Sequence, residues 1–158
     1  MSFSKDASAG YLANHMARLF FAGLSRRIRP LGLAPAQFMV LLELWEEDGL
    51  SQADLVARLD VEQATMANTL ARMERDGLIE RRPSPTDRRA RLICLTAKAD
   101  ALRGPAIAAA QAQNAQALTG LAPEEMAQFL MLMKKVIATM QKTRHAPVPG
   151  SEGRAKDE

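Results

Sequence analysis

The sequence has one cysteine, few aromatic residues and no long apolar run. A single thiol, Cys94, cannot form a disulfide within the chain, which is typical of proteins from a reducing compartment. No run of about 18 apolar residues is present, so no transmembrane helix is predicted. The first ten residues, MSFSKDASAG, lack the apolar segment that a signal peptide carries. We therefore expect a cytoplasmic protein.

The sequence also lacks the short motifs of common enzymes and metal sites. It contains no glycine-rich phosphate loop, no zinc-ligand spacing and no nucleophile elbow. The two histidines, His15 and His145, are far apart in the chain, and neither has an evident carboxylate partner. Cys94 alternates with apolar residues on a predicted strand, which favours packing over redox sensing. We expect no enzymatic activity, no metal and no cofactor.

What is present is typical of a small helical protein. The chain has 158 residues, of which 47% are hydrophobic and 25% charged, enough for one core of ordinary size. Alanine, leucine and methionine supply much of the apolar content, and these residues favour helices. The net charge is only +3, so the location of the charge is more informative than its total.

Hydrophobic periodicity predicts six helices and one β-hairpin. The predicted helices span residues 11–29, 35–48, 51–59, 63–76, 97–117 and a last stretch from Pro123. The third and fourth are short and separated by a brief turn, which predicts a helix-turn-helix, and Ser51 with Asp54 predicts a capping box at its start. Thr96 is expected to cap the fifth helix, which should be broken or kinked near Gly104-Pro105. Residues 78–82 and 91–95 alternate around a proline-containing loop and predict the hairpin, or wing.

Five arginines lie in the predicted wing, within the stretch RRPSPTDRRARLICLT from Arg81 to Thr96. Such a run can be simply a solvated turn. Between Asp6 and Ala97, however, every lysine-or-arginine position is arginine, whose planar fork suits phosphates and narrow minor grooves. We therefore predict that Arg88 and Arg89 contact DNA, with Arg89 entering the groove. Asp87 should support the loop, either by pairing with a wing arginine or by bonding its own backbone.

The fourth predicted helix has an apolar stripe formed by Met66, Leu70 and Met73, and its other faces are polar. The polar side chains predicted to read the major groove are Gln63, Thr65, Asn68, Thr69 and Arg72. Asparagine and glutamine can pair with adenine, arginine with guanine or phosphate, and a threonine methyl with thymine. Ser51 and Gln52 of the preceding helix are predicted to contact DNA as well. The alternative is an ordinary amphipathic surface helix.

Three segments between Leu31 and Thr96 carry a family resemblance: LGLAPAQFMVLLELW, LSQADLVARLDVEQATMANTLARMERDGLIERR and SPTDRRARLICLT. In this order they resemble the multiple antibiotic resistance regulator (MarR) family of winged helix-turn-helix transcription factors. The resemblance implies a homodimer whose first and last helices interlock, with the family's Asp-x-Arg wing pattern at Asp87 and Arg89. It also implies, in many members, a pocket for a small aromatic or phenolic ligand. Asn68 stands where many members carry arginine, which favours contact with adenine.

The last predicted helix carries an apolar seam that is wide for a helix with one packing partner. Its exposure would cost about 2 kcal/mol per large side chain, so burial in a dimer is expected, although the seam can instead fold against the chain's own first helix. The predicted dimerisation residues are Leu12, Leu19, Met126, Phe129, Leu130, Met133, Val136, Ile137 and Met140. A ligand pocket is predicted to involve His15, Arg18 and Phe38.

These patterns predict a mainly α fold with a small β-hairpin wing, in which a winged helix-turn-helix domain is flanked by N- and C-terminal dimerisation helices. The predicted segments are a dimerisation helix in residues 1–30, the DNA-binding domain in 31–96, C-terminal dimerisation helices in 97–145 and a flexible tail in 146–158. The predicted function is a dimeric, ligand-responsive repressor of a pseudo-palindromic operator. The alternative is a winged-helix protein-interaction module that does not bind DNA.

Overall fold

The structure, a computed structural model, describes residues 4–144. Within these residues the elements follow one another as α1 (Ala9–Ile28), α2 (Pro35–Glu46), β1 (Leu50–Ser51), α3 (Gln52–Leu59), α4 (Gln63–Arg75), β2 (Ile79–Pro83), β3 (Arg91–Leu95), α5 (Ala97–Ala117) and α6 (Pro123–Thr143). Short 3-10 helices cover Lys5–Ala7 and Arg29–Leu31. The predicted fold class is confirmed. His145 and the predicted tail, residues 146–158, lie outside the described residues.

The helix-turn-helix is formed by α3 and α4, and its start has the predicted capping box. The Ser51 backbone N–H donates to Asp54 Oδ2 at 2.9 Å, and the Asp54 N–H donates to Ser51 Oγ at 3.1 Å. These bonds satisfy two polar groups that a helix N-terminus leaves without intrahelical partners. At the other end of α3, Asp60 adopts a left-handed conformation with φ of 53°, which turns the chain into α4.

The wing is part of a three-stranded antiparallel sheet with the order β1-β3-β2. Leu50 of β1 is paired with Ile93 of β3, and Arg82 of β2 with Leu92. The predicted hairpin is therefore present, with its first strand one residue later than expected. The sequence analysis did not predict β1, because two residues are too few to show an alternating pattern.

The predicted break in the fifth helix is wrong, because α5 continues through Pro105. A proline removes one N–H from the helical ladder, yet Pro105 is exposed and its neighbour Ala106 is fully buried, so packing holds the helix on both sides of it. Thr96 caps the start of α5 as predicted, since its Oγ1 accepts from the Ala99 N–H at 3.3 Å.

The chain divides into two compact units between Ala117 and Leu118. The first unit holds α1 to α5 and the sheet around a core that includes Ile28, Leu41, Leu44, Leu55, Leu70, Met73 and Ile93. The second unit contains α6. The division comes after α5, whereas the sequence places a boundary before it; the four predicted segments remain predictions. In residues 4–144, no helix is long and apolar enough to cross a membrane.

Candidate nucleic-acid interface

At the base of the wing, arginines are paired with acidic side chains of the same unit. Arg81 Nε lies 3.4 Å from Glu74 Oε2, which joins β2 to α4. Arg82 pairs with Glu80 on the same strand. Exposed pairs of this kind add little stability, but each brings a carboxylate next to the arginine. The base of the wing is therefore partly neutralised.

The tip of the wing, residues 84–90, is held by Ser84. Its backbone N–H donates to the Ala90 carbonyl at 3.1 Å, which closes the loop. Its hydroxyl oxygen accepts from the Thr86 N–H at 3.3 Å and from the Asp87 N–H at 3.2 Å. Serine commonly forms turns of this type, since its short side chain reaches the backbone two or three residues ahead. The tip thus has a defined turn rather than an open loop.

Asp87 supports the tip through the backbone. Its Oδ1 accepts from the Arg89 N–H at 2.9 Å, an arrangement typical of aspartate in turns. Within residues 4–144, Asp87 forms no ion pair with an arginine. Of the two supporting roles predicted for it, the structure has the backbone bond and lacks the ion pair. The bond fixes the main chain at Arg89, from which the guanidinium extends.

Three arginines at or beside the tip remain without partners. Arg88, Arg89 and Arg91 are exposed, and none of their guanidinium groups makes a hydrogen bond or an ion pair with the described part of the chain. Their five donors each are therefore available to an external acceptor. The wing thus combines a partly neutralised base with a tip whose positive charge is uncompensated.

Helix α4 buries its predicted stripe and exposes most of its predicted polar face. Met66, Leu70 and Met73 are at most 2% exposed. The polar residues Gln63, Thr65, Asn68 and Arg72 are exposed, as is required of groups that read a groove. Thr69 differs, because it is half-buried and its Oγ1 donates to the Thr65 carbonyl at 2.9 Å. Its methyl group rather than its hydroxyl is left for an external contact.

The start of α3 lies beside the start of α4, where Gln52 Nε2 donates to Gln63 Oε1 at 3.5 Å. Ser51 is less available than predicted, because its hydroxyl donates to Asp54 Oδ2 at 2.6 Å within the capping box. That hydroxyl and the Ser51 backbone N–H lower the pKa of Asp54 below its ordinary value. Ser51 therefore serves first as a helix cap.

One cation on α4 was not among the predicted site residues. Arg75 is exposed and lies two turns after Asn68, so both project from the same side of the helix. Its Nε is 3.4 Å from Asp76 Oδ1, and its side chain is 72% accessible. The spacing of seven residues from Asn68 was the signal in the sequence that could have identified it.

The C-terminal end of α4 is held by a buried side chain of α2. Gln37 donates from Nε2 to Asp76 Oδ2 at 2.9 Å, while its Oε1 accepts from the Ala34 N–H at 3.0 Å. The bond from Gln37 is the main reason that the pKa of Asp76 is lowered. Lys98 of α5 donates to the Asp76 carbonyl at 2.7 Å. Three helices thus meet at Asp76, and α2 is tied directly to the end of α4.

A cavity of about 650 Å³ lies between α1, α2 and α5. Phe38 is part of its wall, together with Phe20, Phe21, Leu24, Met39 and Leu42. His15 and Arg18 do not line it; both are exposed on α1, and the His15 ring has an edge-on contact with Tyr11 at a centroid distance of 6.3 Å. The structure therefore does not bring the three predicted ligand residues together, because His15 and Arg18 project from α1 away from this space.

The predicted dimerisation residues are accessible in the single chain. Leu12 and Leu19 are exposed on α1, and α6 has no buried residue at all. On α6, Phe129 and Met133 are half-buried, and the other predicted residues are exposed. Met131 and Leu132 are also exposed, although the predicted seam omitted them. Helix α6 is thus apolar over more of its circumference than its seam indicated.

The described residues offer little for metal or redox chemistry. They contain no group of three or more His, Cys, Asp or Glu side chains that could hold a metal ion. Cys94 is buried on β3, and this burial raises the pKa of its thiol. A raised pKa lowers the thiolate fraction, so the environment of Cys94 disfavours reactivity.

Comparison with known proteins identifies the fold that carries these features. Residues 33–90, which include α3, α4 and the wing tip, match the model of the MarR family. The chain belongs to the MarR family. This is a family of transcriptional regulators rather than enzymes, and the winged helix of this chain is its DNA-binding type.

Solved MarR structures resemble the chain over most of its length. Wild-type MarR from E. coli is 26% identical with a TM-score of 0.70, and the match covers 82% of this chain and 96% of that one. A cysteine-to-serine mutant of E. coli MarR complexed with operator DNA is 26% identical with a TM-score of 0.76, covering 80% and 91%. A Listeria monocytogenes MarR family protein complexed with 26mer DNA shares the fold, with 23% identity, a TM-score of 0.81 and coverage of 94% and 99%.

Proposed function

We propose that this chain is a dimeric repressor that binds a pseudo-palindromic operator and releases it when a small ligand binds. The observation that carries the proposal is the wing tip, where Ser84 and Asp87 hold a rigid turn and Arg88, Arg89 and Arg91 have no partner. Unpaired arginines on a fixed turn are suited to phosphates and to a narrow minor groove. The E. coli relative solved with operator DNA supports the same function.

In this proposal α4 enters the major groove. Asn68, Arg72 and Gln63 reach base edges or phosphates, and Thr65 contributes its methyl group. Thr69 has a lesser part, because its hydroxyl is bonded to the Thr65 carbonyl. Among the wing arginines, Arg89 enters the minor groove, since the Asp87 carboxylate holds its backbone N–H. Gln52 contacts the DNA backbone beside the start of α4.

The dimer is formed through the exposed apolar residues of α6 together with Leu12 and Leu19 of α1. Burying large apolar side chains stabilises an interface by about 2 kcal/mol each, which favours self-association. A two-fold axis then presents two copies of α4 about 34 Å apart, the spacing of successive major grooves on one side of DNA. A regulator of this kind works where the chromosome is, so we propose a cytoplasmic location.

Helix α2 supports a response to ligand because it lies between two cavities. The larger one has α1 and α5 as its other walls, and a smaller one of about 150 Å³ lies between α2 and α4. Ala36 and Met39 line both. An occupant of the larger cavity that shifts Met39 therefore acts on the packing of α4. A ligand that prefers the shifted arrangement would draw the population away from the operator-binding geometry.

The alternative function is a protein-interaction module whose wing docks an acidic partner. Both functions use the unpaired arginines, so the wing alone does not separate them. The polar face of α4 separates them, because base-edge contacts give sequence preference on DNA and an acidic protein surface would not.

The test is fluorescence anisotropy on the DNA upstream of the chain's own gene, with a scrambled duplex as competitor. Arg89→Ala should weaken specific binding by about tenfold or more, the loss expected for one groove contact of about 1–3 kcal/mol. Arg82→Ala is the matched control, since Arg82 lies on the same hairpin but is paired with Glu80. Its effect should be within about twofold.

Salt dependence gives a second measurement on the same complex. If about six phosphates are neutralised per dimer, the slope of log affinity against log salt should be about −5. A slope near zero, or equal losses from Arg89→Ala and Arg82→Ala, would contradict the proposed function and favour the protein-interaction module. Equal losses from Arg88→Ala and Arg89→Ala would contradict the specific assignment of the groove contact to Arg89.

A further inference from the structure

The cavity between α1, α2 and α5 has the size and the wall of a ligand site. Its volume of about 650 Å³ falls within the range of small-molecule pockets, about 300–1,000 Å³. Of the fourteen residues that line it, eleven are apolar, with the aromatic rings of Phe20, Phe21 and Phe38 among them. An apolar wall of this extent is matched by the apolar body of a ligand, because both lose contact with water when they meet.

No charged side chain lines this cavity in the described part of the chain. The documented cation nearest to it in bonding is Arg27, whose guanidinium is already bonded to Gln113 Oε1 at 3.3 Å and to Gln116 Oε1 at 2.6 Å. A carboxylate entering the cavity would lose its hydration without gaining a counter-ion. Transfer of an unpaired charge from water to an apolar site is strongly unfavourable.

Three amide side chains of α5 supply the polar part of the wall, namely Gln111, Gln113 and Asn114. Gln113 lies against Gly23 of α1, where an added Cβ would be only 2.2–2.5 Å from its amide group. Because the Gln113 oxygen accepts from Arg27, its NH₂ group remains as a donor. The site can thus bond a neutral acceptor such as a hydroxyl or carbonyl oxygen.

We propose that this cavity binds an uncharged, largely apolar molecule with one hydrogen-bonding oxygen, and that it discriminates against carboxylates. The inference rests on the ligand response in the proposed function and specifies its chemistry. It departs from the phenolic acids that the family resemblance implies, and the reason is the absence of a cation from the wall. The class is that of aromatic alcohols, phenols and neutral carbonyl compounds.

The proposal is tested with a matched pair of probes on the full chain without DNA. Biphenyl-4-methanol and biphenyl-4-carboxylate share a ring system and differ in charge at about pH 7. Each competes with the fluorescent, uncharged probe N-phenyl-1-naphthylamine. We expect the alcohol to bind at least about tenfold more tightly than the carboxylate. Equal affinities, or tighter binding of the carboxylate, would overturn the proposal.

Reversing the electrostatics of the wall gives a gain-of-function arm. Gln111→Arg introduces a guanidinium into the lining, so the carboxylate should gain about tenfold in affinity and the preference should disappear. Ala112→Arg is the control, because Ala112 is the exposed neighbour of Gln111 and does not line the cavity. An equal gain in both variants would mean that general surface charge, rather than this site, selects the ligand, and would overturn the proposal.

A blocking variant locates the probe. Ala17 lines the cavity, so Ala17→Phe should abolish displacement by the alcohol, whereas Ala22→Phe, at an exposed position outside the lining, should leave it unchanged. Unchanged binding in Ala17→Phe would overturn the assignment to this cavity. Anisotropy of the operator complex then separates the two proposals. Alcohol binding without operator release supports the ligand class and contradicts the ligand response. Operator release by the carboxylate alone supports the response and overturns the ligand class.

Discussion

The two compact units of this chain use apolar side chains in opposite ways. In the first unit, Phe38 is 3% exposed and both Leu41 and Leu70 are fully buried. In the second, Val136 is 58% exposed and Met140 is 66% exposed, on a helix with the same amphipathic periodicity. The first unit therefore has a complete core of its own. Helix α6 instead presents a surface that needs further cover, which is the chemical basis for proposing self-association there.

Polar groups show a related contrast within the first unit. Gln37 and Asp76 satisfy each other in the interior, and Ser51 and Asp54 satisfy the start of α3. The arginines of the wing tip are bonded to nothing in the described chain. What remains unsatisfied is of two kinds, an apolar face on α6 and a cationic turn on the wing. The difference indicates two partners of different chemistry, a second copy of the chain and a polyanion.

The largest effect is expected from charging the α6 face. Leu130 and Ile137 are seven residues apart and project from one side of the helix. The double variant Leu130→Asp with Ile137→Asp should convert the dimer to a monomer at micromolar concentration. Each lost apolar contact costs about 2 kcal/mol, and two-fold symmetry applies the loss twice. Sedimentation equilibrium measures the association, and far-UV circular dichroism should stay unchanged.

A matched control charges the polar side of the same helix. Gln128 and Lys135 have the same spacing of seven residues, so Gln128→Asp with Lys135→Asp introduces the same acidic groups away from the apolar seam. This variant should remain dimeric. If the seam variant lost its helical signal as well as its partner, α6 would belong to the folding core of the single chain, and the contrast between the two units would be wrong.

A smaller effect is expected inside the first unit, at Gln37. The variant Gln37→Ala leaves the Ala34 N–H and the Asp76 carboxylate without their bonds, so unfolding free energy should fall by about 1–3 kcal/mol. Dimerisation should not change, since Gln37 is buried away from α6. Gln52→Ala is the control, because its bond to Gln63 is long and exposed. Urea denaturation measures both. Similar losses in the two variants would mean that burial of Gln37 adds nothing.

Much of this architecture could be predicted because its signals are local. The stripe of Met66, Leu70 and Met73 identifies α4, and the Ser51–Asp54 pair marks the start of α3, since both depend on helical spacing alone. The wing followed from alternation around a proline-containing loop. The unpaired state of Arg88 and Arg89 was implied only by their position, and the structure supports it with a turn that needs no arginine side chain.

The remaining features depend on contacts between distant residues. Strand β1 exists because Leu50 meets Ile93, and Gln37 matters because it meets Asp76. Neither pair has a sequence pattern, since their members are about 40 residues apart. The cavity likewise arises from three helices, so His15 and Arg18 were selected from α1 by residue type without knowledge of which side of α1 faces α2. Tertiary packing decided these features, and periodicity could not reveal it.

The smallest expected effect is a change in how stability depends on pH. The Ser51 hydroxyl and N–H lower the pKa of Asp54 in the folded chain, so near pH 4 the unfolded chain binds more protons than the folded one. The stabilisation is complete above the ordinary aspartate pKa of about 4 and is lost as the pH falls through the lowered value. Ser51→Ala removes the main cause, so its stability should fall less steeply than that of the parent chain below about pH 5.

The Ser51→Ala variant also loses a helix cap worth about 1 kcal/mol at neutral pH, so its unfolding curve should start lower and converge with that of the parent as acid is added. Urea midpoints at several pH values measure this. Ser25→Ala, within α1, should run parallel to the parent. Some acid dependence should persist in Ser51→Ala, because Gln37 independently lowers the pKa of Asp76. Parallel curves for Ser51→Ala and the parent would show that the capping box holds α3 without favouring the ionised carboxylate, and the cap would then be as insensitive to pH as the apolar seam of α6.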